Sequence, residues 1–273
     1  LARATCLAPT AGLGPWQRVG GRALITPPLD ARQYPSPLSS YRHYNKDLED
    51  ESLIRVSNLP KEARVRLGAM DVYDGTTFGM GVTNTADGTA GYRRVGSTIP
   101  GRSADTAGVQ TSVSTSQLLG PWVPTIGQVS VLRFEPSAPN AAEQQDGLNY
   151  DLWAETALTT GPTGQLSYSL STTMPREHAD SEFASVDARD YAGGDTNVPK
   201  DVDTLAAVRT VGAHSDLDKA RALETYLHTS GFYSNDDVVS SRPGASQDRI
   251  QRMISAAAVV GDDEPSATLM PSL

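Results

Sequence analysis

The stretch "VQTSVSTSQLLGPWVPTIGQVSVLRFE", residues 109–135, decides the fold of this chain of 273 residues. Apolar and polar residues alternate on both sides of a Gly-Pro pair at 120–121. Such an alternation, with a period of two, is typical of a β-strand that has one face on a core and one in water. Because Gly-Pro is a turn signal, the stretch predicts strands joined by a turn.

The same pattern occurs on the amino-terminal side of this stretch. In "ARVRLGAMDVYDG", Val65, Leu67 and Ala69 share one parity, and the Asp74-Gly75 pair follows as a turn. Asp71 and Asp74 are candidate carboxylates for a site, but their position favours a strand end and a turn. The residues therefore predict a further strand followed by a tight turn.

On the carboxyl-terminal side, two strand-like runs flank the tetrapeptide "GPTG". The first is "GLNYDLWAETALTT", and the second is "QLSYSLSTTMP", in which Leu166, Tyr168 and Leu170 share one parity. This arrangement predicts a hairpin. Several short strands with glycine-rich turns between them predict an antiparallel β-sandwich-like domain over residues 41–175.

After Pro175 the pattern changes. Residues 176–200 are polar and are predicted to be a linker, and residues 201–273 show helical spacing. Three helices are expected there. The first is capped by Asp201 or Asp203 and carries the apolar residues Val202, Leu205, Ala206 and Val208, and the second is capped by Ser215, ends at Gly231 and carries Leu217, Ala220, Leu223, Tyr226 and Leu227. The third helix is shorter and lies around Ile250, Met253 and Ile254 within "GASQDRIQRMISAAAVV". The fold class expected for the chain is α+β.

Residues 1–40 are expected to be an extended, juxtamembrane lead-in, because residues 26–40 contain four prolines. No apolar run reaches the roughly 18–20 residues that span a bilayer, and no signal peptide is visible. Because the first residue is Leu, we interpret the chain as a fragment or a processed form.

Composition limits the classes of function. The net charge of −9 argues against nucleic acid as a partner, because phosphates require a basic surface. The only cysteine in the sequence, Cys6, excludes an internal disulfide and a zinc site with several cysteines. The four histidines, at positions 43, 178, 214 and 228, show no metal-ligand spacing.

The residues "GDDE", 261–264, form the most polar feature near the carboxyl end. Three interpretations of Asp262, Asp263 and Glu264 are open. They begin a helix and cap its free N–H groups, with Pro265 in the first turn. They bind a divalent cation together with Asp236 and Asp237. The third interpretation is that they mark a vestigial position that faces a cleft. Pro271 would end any helix that starts here within two turns.

Six stretches, in this order, resemble the extracytoplasmic region of membrane-anchored, transglutaminase-like proteins of high-GC Gram-positive bacteria. They span residues from about 24 to 264 and read "PPLDARQYPSPLSSYRHYNKDLED", "LGAMDVYDGTTF", "YRRVG", "GPWVPTIG", "DKARALETYLHTSGFYS" and "VVGDDE". The resemblance implies that the β-sandwich-like domain is followed by the helical first part of a transglutaminase-like (papain-like) core.

The resemblance also assigns a meaning to the acidic residues. Active members of the family have a Gly-x-Cys-Glu segment, whose Cys opens a helix and is the nucleophile. Gly261, Asp262, Asp263 and Glu264 match this segment with Asp263 at the Cys position. The resemblance therefore implies a vestigial nucleophile position, and the catalytic His and Asp of the family would lie beyond residue 273.

Two classes of function follow. The first is a non-catalytic extracytoplasmic module that binds or scaffolds an unknown cell-envelope protein or peptide. The second is a fragment of an enzyme for amide hydrolysis or acyl transfer. Asp263 favours the first class. We expect no catalytic residue, no cofactor and no metal. We expect this soluble fragment to belong to a protein anchored at the extracytoplasmic face of the cell membrane through segments that the fragment lacks.

Overall fold

The structure, a computed structural model, describes residues 29–80, 91–101, 108–176, 178–183, 186–187, 198–233, 246–255 and 259–261. Within these ranges the α-helices are α1 (Tyr41–Lys46), α2 (Ala141–Asp146), α3 (Asp180–Phe183), α4 (Lys200–Arg209), α5 (Asp216–Ser230) and α6 (Gln247–Ser255). Two short 3-10 helices, Ala31–Gln33 and Pro37–Ser40, precede α1.

The strands lie mainly between α1 and α3. They are β1 (Ile54–Ser57), β2 (Val65–Arg66), β3 (Val72–Tyr73), β4 (Phe78–Gly79), β5 (Arg93–Arg94), β6 (Val109–Ser116), β7 (Trp122–Val123), β8 (Thr125–Ile126), β9 (Gln128–Phe134), β10 (Leu148–Asp151), β11 (Thr156–Thr159), β12 (Gln165–Thr173), β13 (Gly231–Tyr233) and β14 (Val259–Gly261). In the described part of residues 60–135 there is no helix, as the alternation predicts.

Two four-stranded antiparallel sheets form the body of the fold. The first sheet has the order β1-β6-β12-β9, and the second has the order β5-β10-β11-β7. Their inner faces share one hydrophobic core, with Val113, Leu132, Leu166, Tyr168 and Leu170 from the first sheet and Val123, Leu148, Tyr150 and Ala157 from the second. The expected α+β class with antiparallel sheets is confirmed.

The alternation in β6 and β12 follows the burial of their side chains. In β6, Val113 and Thr115 are buried, whereas the intervening Ser114 is exposed. Leu166, Tyr168 and Leu170 of β12 are all buried, as their shared parity predicts. Period two therefore identifies the strand and the face that meets the core.

The hairpin predicted around "GPTG" is wrong. β10 pairs with β11, and β12 pairs with β6 and β9 in the other sheet. Residues 161–164 therefore carry the chain from the second sheet to the first. A run of alternating residues can pair with any strand that offers a matching face, so proximity in sequence did not identify the partner.

Strands β7, β10 and β11 of the second sheet are buried on both faces, whereas the edge strand β5 is exposed. Trp122 and Leu158, which are paired across β7 and β11, point away from the shared core and pack with Ala31, Met80 and Tyr92. Residues of the lead-in therefore cover the outer face of this sheet, and Leu29 forms a β-bridge with Tyr92.

The expectation of an extended lead-in is wrong for most of its described residues. Asp30 accepts a hydrogen bond from the Arg32 N–H and begins one 3-10 turn, and Ser36 accepts one from the Leu38 N–H and begins the other. Pro37 stands in the first turn of the second helix, where its fixed φ suits a helical start. Pro37 thus begins a helical turn here instead of extending the chain.

A hairpin of β3 and β4 connects the sheets with the helices. Tyr73 and Phe78 are directly paired, and their rings stack with centroids 5.7 Å apart. Both are buried in a second core with Val202 of α4 and with Ile250 and Met253 of α6. The Gln247 N–H at the start of α6 donates to the Gly75 carbonyl in the hairpin turn, at 3.1 Å.

The helix starts are partly as predicted. Ser215 caps α5 through a reciprocal pair of hydrogen bonds, in which the Asp218 N–H donates to Ser215 Oγ and the Ser215 N–H donates to Asp218 Oδ2, each at 3.1 Å. The expected cap of α4 is wrong: Pro199 occupies that position without a side-chain hydrogen bond, and Asp201 and Asp203 lie in the first turn. Val208, expected on the apolar stripe, is 59% exposed.

The end of the described chain also differs from the expectation. Ile250 and Met253 lie on α6 as predicted, but Val259 and Val260 belong to β14. β14 runs parallel to β13, with Gly231 opposite Val259 and Tyr233 opposite Gly261. A short run such as "AAAVV" fits a helix or a buried strand equally well, and here the strand partner decides. The predicted domain boundaries at 41, 176 and 201 stay predictions, and α3 lies within the predicted linker.

We predict that Tyr168→Phe destabilises the fold. The Tyr168 hydroxyl donates to the Pro124 carbonyl at 2.6 Å, and Tyr168 is fully buried. Because Phe leaves a buried carbonyl without its donor, the free energy of unfolding should fall by about 1–3 kcal/mol. Urea unfolding measures this. Ser57→Ala, which removes an exposed hydroxyl, is the control and should change the free energy by less than about 0.5 kcal/mol. An unchanged midpoint for Tyr168→Phe would contradict the prediction.

Candidate functional site

The segment that sequence analysis singled out begins where β14 ends. Gly261 is the last residue of β14, opposite Tyr233. Asp262, Asp263 and Glu264 lie outside the described residues, as do Asp236, Asp237, Pro265 and Pro271. The cap, the cation site and the vestigial nucleophile position therefore stay predictions. The structure gives the elements that lead to this segment, which are α5, β13, α6 and β14 in chain order.

The histidines form local contacts and no shared cluster. His43 contacts Asp47 (2.6 Å), and His178 contacts Glu182 (2.9 Å), each one helical turn away. His228 lies in the last turn of α5, where a basic residue is favourable. Within the described ranges, no group of three or more His, Cys, Asp or Glu residues is arranged to hold a metal ion.

Asp74 has the structural role that its position predicts. Its Oδ1 atom accepts hydrogen bonds from the Thr76 and Thr77 N–H groups, each at 2.8 Å, and so closes the turn between β3 and β4. An aspartate that binds backbone N–H groups two and three residues later is a common turn element. Asp71 belongs to the same hairpin, and its N–H donates to the Gly79 carbonyl at 3.1 Å.

Beside this hairpin lies a cavity of about 510 Å³, which we call the hairpin cavity. It is bounded by residues 31–36 and Ser39 of the lead-in, by the β3–β4 hairpin together with Met80, and by Trp122 on β7. Its volume is in the range of sites that bind small molecules, roughly 300–1,000 Å³. The cavity is the candidate binding site of the described chain.

Three of the described residues that line the hairpin cavity, Tyr34, Phe78 and Trp122, are aromatic. Phe78 stacks on Tyr73, and Trp122 contacts Tyr92 with ring centroids 6.5 Å apart. Phe78 and Trp122 are buried, whereas Tyr34 is half-buried. The aromatic side chains that line the cavity come from three separate segments, and the sheet and the hairpin hold two of them in place.

An ion pair of Asp30 and Arg32 lies beside the hairpin cavity. The Arg32 guanidinium donates from Nε and Nη2 to the two carboxylate oxygens of Asp30, at 2.9 and 2.8 Å. These hydrogen bonds lower the pKa of Asp30 and raise the pKa of Arg32, so both stay ionised at neutral pH. Asp74 adds a carboxylate to the lining. Arg32 and Asp74 are the charged residues in the described lining of the cavity.

The sequence did not predict the hairpin cavity, although several of its residues lie in stretches that carry the family resemblance. Three of the stretches that carry the family resemblance, those at 27–50, 67–78 and 120–127, meet at this cavity. Periodicity identifies the face of each segment but not which faces oppose one another. The one available signal was the presence of Tyr34, Phe78 and Trp122 in those stretches.

Comparisons with known proteins give few matches. No protein family matches the chain, and no curated protein matches it. Among solved structures, the chain is similar to the periplasmic domain of TgpA from Pseudomonas aeruginosa, crystallised bound to ethylmercury. The identity is 12%, the TM-score is 0.49, and the match covers 90% of this chain and 78% of that one. This similarity assigns no activity and no residue role to the chain.

No helix in the described ranges has the length and apolar content needed to cross a membrane. The longest, α5, carries acidic and basic residues along its length.

We predict that Asp74 is needed for the turn as a hydrogen-bond acceptor and not as a charge. Asp74→Ala removes the acceptor for two backbone N–H groups and should lower the free energy of unfolding by about 1 kcal/mol. Asp74→Asn keeps a side-chain carbonyl and should stay within about 0.5 kcal/mol of the parent. Urea unfolding distinguishes them, and equal losses in both variants would contradict the prediction.

We predict that the acidic triplet binds no divalent cation with useful affinity. Ca²⁺ takes about six to eight oxygen ligands, and adjacent residues at a helix start point about 100° apart. Calorimetric titration with Ca²⁺ and Mg²⁺ should give no binding heat, and the melting temperature should not change. Binding at micromolar concentration that Asp262→Asn or Asp263→Asn abolishes would contradict this.

Proposed function

We propose that this chain is a non-catalytic extracytoplasmic module of a membrane-anchored, transglutaminase-like protein, and that it binds or scaffolds a ligand at the cell envelope. The observation that carries the proposal is the residue at position 263. The family resemblance places a nucleophilic Cys there, and this sequence has Asp. The only cysteine of the sequence, Cys6, precedes the whole β-rich region.

The chemistry of a carboxylate explains why this residue favours a non-catalytic role. The family reaction begins when a thiolate attacks a carboxamide, and a helix amino-terminus lowers the pKa of that thiol. A carboxylate is a much weaker nucleophile toward a carboxamide. Asp263 would still be favourable at a helix start, because its negative charge interacts with the free N–H groups.

The described structure agrees with a binding role. The titratable residues that sequence analysis considered, His43, His178, Asp71 and Asp74, take part in local helix and turn contacts. The hairpin cavity offers a concave surface with three aromatic side chains instead. Binding sites of this kind occur where separate layers of a fold meet, as the sheet, the hairpin and the lead-in do here.

The location and anchoring of the whole protein are part of the proposal. They rest on the family resemblance, because proteins of that family carry this region outside the cytoplasm, after a bundle of membrane helices. The net charge of −9 supports a partner other than nucleic acid. We infer that the partner is a component of the cell envelope.

We predict that the chain has no transglutaminase or amide hydrolase activity. The test incubates the chain with a glutamine donor and an amine acceptor, beside an active homologue as the positive control. We expect no turnover, because the nucleophile position carries Asp263. Asp263→Ala is the matched variant and should also give none. Turnover by the parent chain that disappears in Asp263→Ala would refute the non-catalytic role.

A further inference from the structure

We propose that a pocket at the outer face of the first sheet binds one residue of a neutral sugar. This pocket, which we call the sheet pocket, has a volume of about 290 Å³ and is lined by the start of β1, by β6 and β12, and by the loop between β9 and α2. None of its described lining residues lines the hairpin cavity, so it is a second candidate site. The inference goes beyond the proposed function and does not depend on it.

Three polar side chains of the pocket form a row across the sheet. Arg55 of β1 lies opposite Ser114 of β6, and Ser114 lies opposite Ser167 of β12. Their neighbours along the strands, Val113 and Leu166, are buried in the shared core, so the row points away from that core. Side chains directly opposite one another on antiparallel strands lie about 5 Å apart. The row therefore places three polar groups within reach of one small ligand.

The described lining of the sheet pocket is mainly neutral and polar. Six of its ten residues carry a hydroxyl or a carboxamide, and they are Ser52, Ser114, Thr115, Ser116, Gln165 and Ser167. Thr115 is buried, whereas the other five are exposed or half-buried. Ser116 Oγ donates to the Ser52 carbonyl at 3.0 Å. Among the described residues, the side chains of Ser114, Gln165 and Ser167 have no hydrogen-bond partner, so these groups can bind a ligand.

Hydroxyl groups in the lining suit a ligand that is itself rich in hydroxyls. A serine hydroxyl donates one hydrogen bond and accepts others, and a sugar hydroxyl does the same, so either partner can be the donor. The Arg55 guanidinium adds further donors, and Ala138 and Pro139 supply an apolar wall for the C–H groups of a sugar ring. A concave site with a few convergent polar groups and an apolar wall is typical of small-molecule binding.

The charges in and beside the pocket do not favour an ion. Arg55 is the one charged residue in the described lining, which holds no carboxylate or imidazole for a metal ion. Glu135 follows β9 beside the pocket, where its N–H donates to the Ser167 carbonyl at 2.9 Å, and the chain has a net charge of −9. These negative charges oppose an anionic ligand, whereas they do not repel a neutral sugar.

The volume of the pocket limits the size of the ligand. Sites for small molecules have volumes of roughly 300–1,000 Å³, and the sheet pocket is at the lower end of this range. It therefore suits a single sugar ring. An apolar ligand of the same size would contact a lining in which the apolar residues are Ala138, Pro139 and the buried Leu166, and it would remove water from the hydroxyl groups without replacing the hydrogen bonds.

NMR titration of the chain tests the class of ligand. The probes are the methyl glycosides of glucose, galactose, mannose and N-acetylglucosamine, with inorganic phosphate as the anionic competitor and cyclohexanol as the apolar ring. We expect at least one glycoside to bind with a dissociation constant on the order of 1 mM and to shift the amide signals of β6 and β12. Phosphate and cyclohexanol should bind at least about tenfold more weakly than that glycoside.

Two variants test the row of polar side chains. Ser114→Ala removes one hydroxyl and should weaken binding of the glycoside by about fivefold. Arg55→Leu removes the charged donors and should weaken it by about tenfold. The control is Ser112→Ala, which removes an exposed hydroxyl from the same strand and face but outside the described lining, and it should leave binding unchanged. Urea unfolding checks that each variant is folded.

Three outcomes would overturn the inference. The first is the absence of binding of all four glycosides to the folded parent chain at concentrations up to tens of millimolar. The second is tighter binding of phosphate or cyclohexanol than of every glycoside. The third is equal weakening by Ser114→Ala and Ser112→Ala, because the effect would then not come from the pocket. Turnover in the activity assay refutes only the non-catalytic role, whereas failure of these titrations refutes only the sugar site.

Discussion

Burial of both faces of the second sheet at strands β7, β10 and β11 is the constraint on which the rest of the structure depends. Its inner face shares a core with the first sheet, whereas Trp122 and Leu158 on its outer face are also buried. Leaving these two large side chains in water would cost roughly 1.5–3 kcal/mol each. The lead-in and Met80 cover them, and for this reason residues from the start of the described chain lie beside a hairpin some forty residues later.

The β3–β4 hairpin takes part in two different environments. Phe78 packs into the core of α4 and α6, and it also lines the hairpin cavity. The turn itself is fixed by Asp74 and is joined to α6 through the hydrogen bond between Gly75 and Gln247. A ligand that contacts Phe78 would therefore touch a side chain that also packs in the core with α4 and α6. The proposed binding site and this core share that residue.

The two proposed features come from different segments of the sequence. The hairpin cavity lies between the lead-in, the hairpin and the second sheet, whereas the segment with Asp263 follows β14. The binding role that we propose rests on the cavity and not on a thiol, because the described lining contains no cysteine.

The sequence by itself determined the local features. Alternation identified β6 and β12, and the Ser215 cap identified the start of α5. Only the tertiary structure decided that β12 joins the first sheet, that β13 and β14 are parallel, and that Tyr34, Phe78 and Trp122 line one cavity. The physical reason is that periodicity, caps and turns depend on neighbouring residues, whereas strand partners and cavities depend on which apolar faces of the whole chain bury one another.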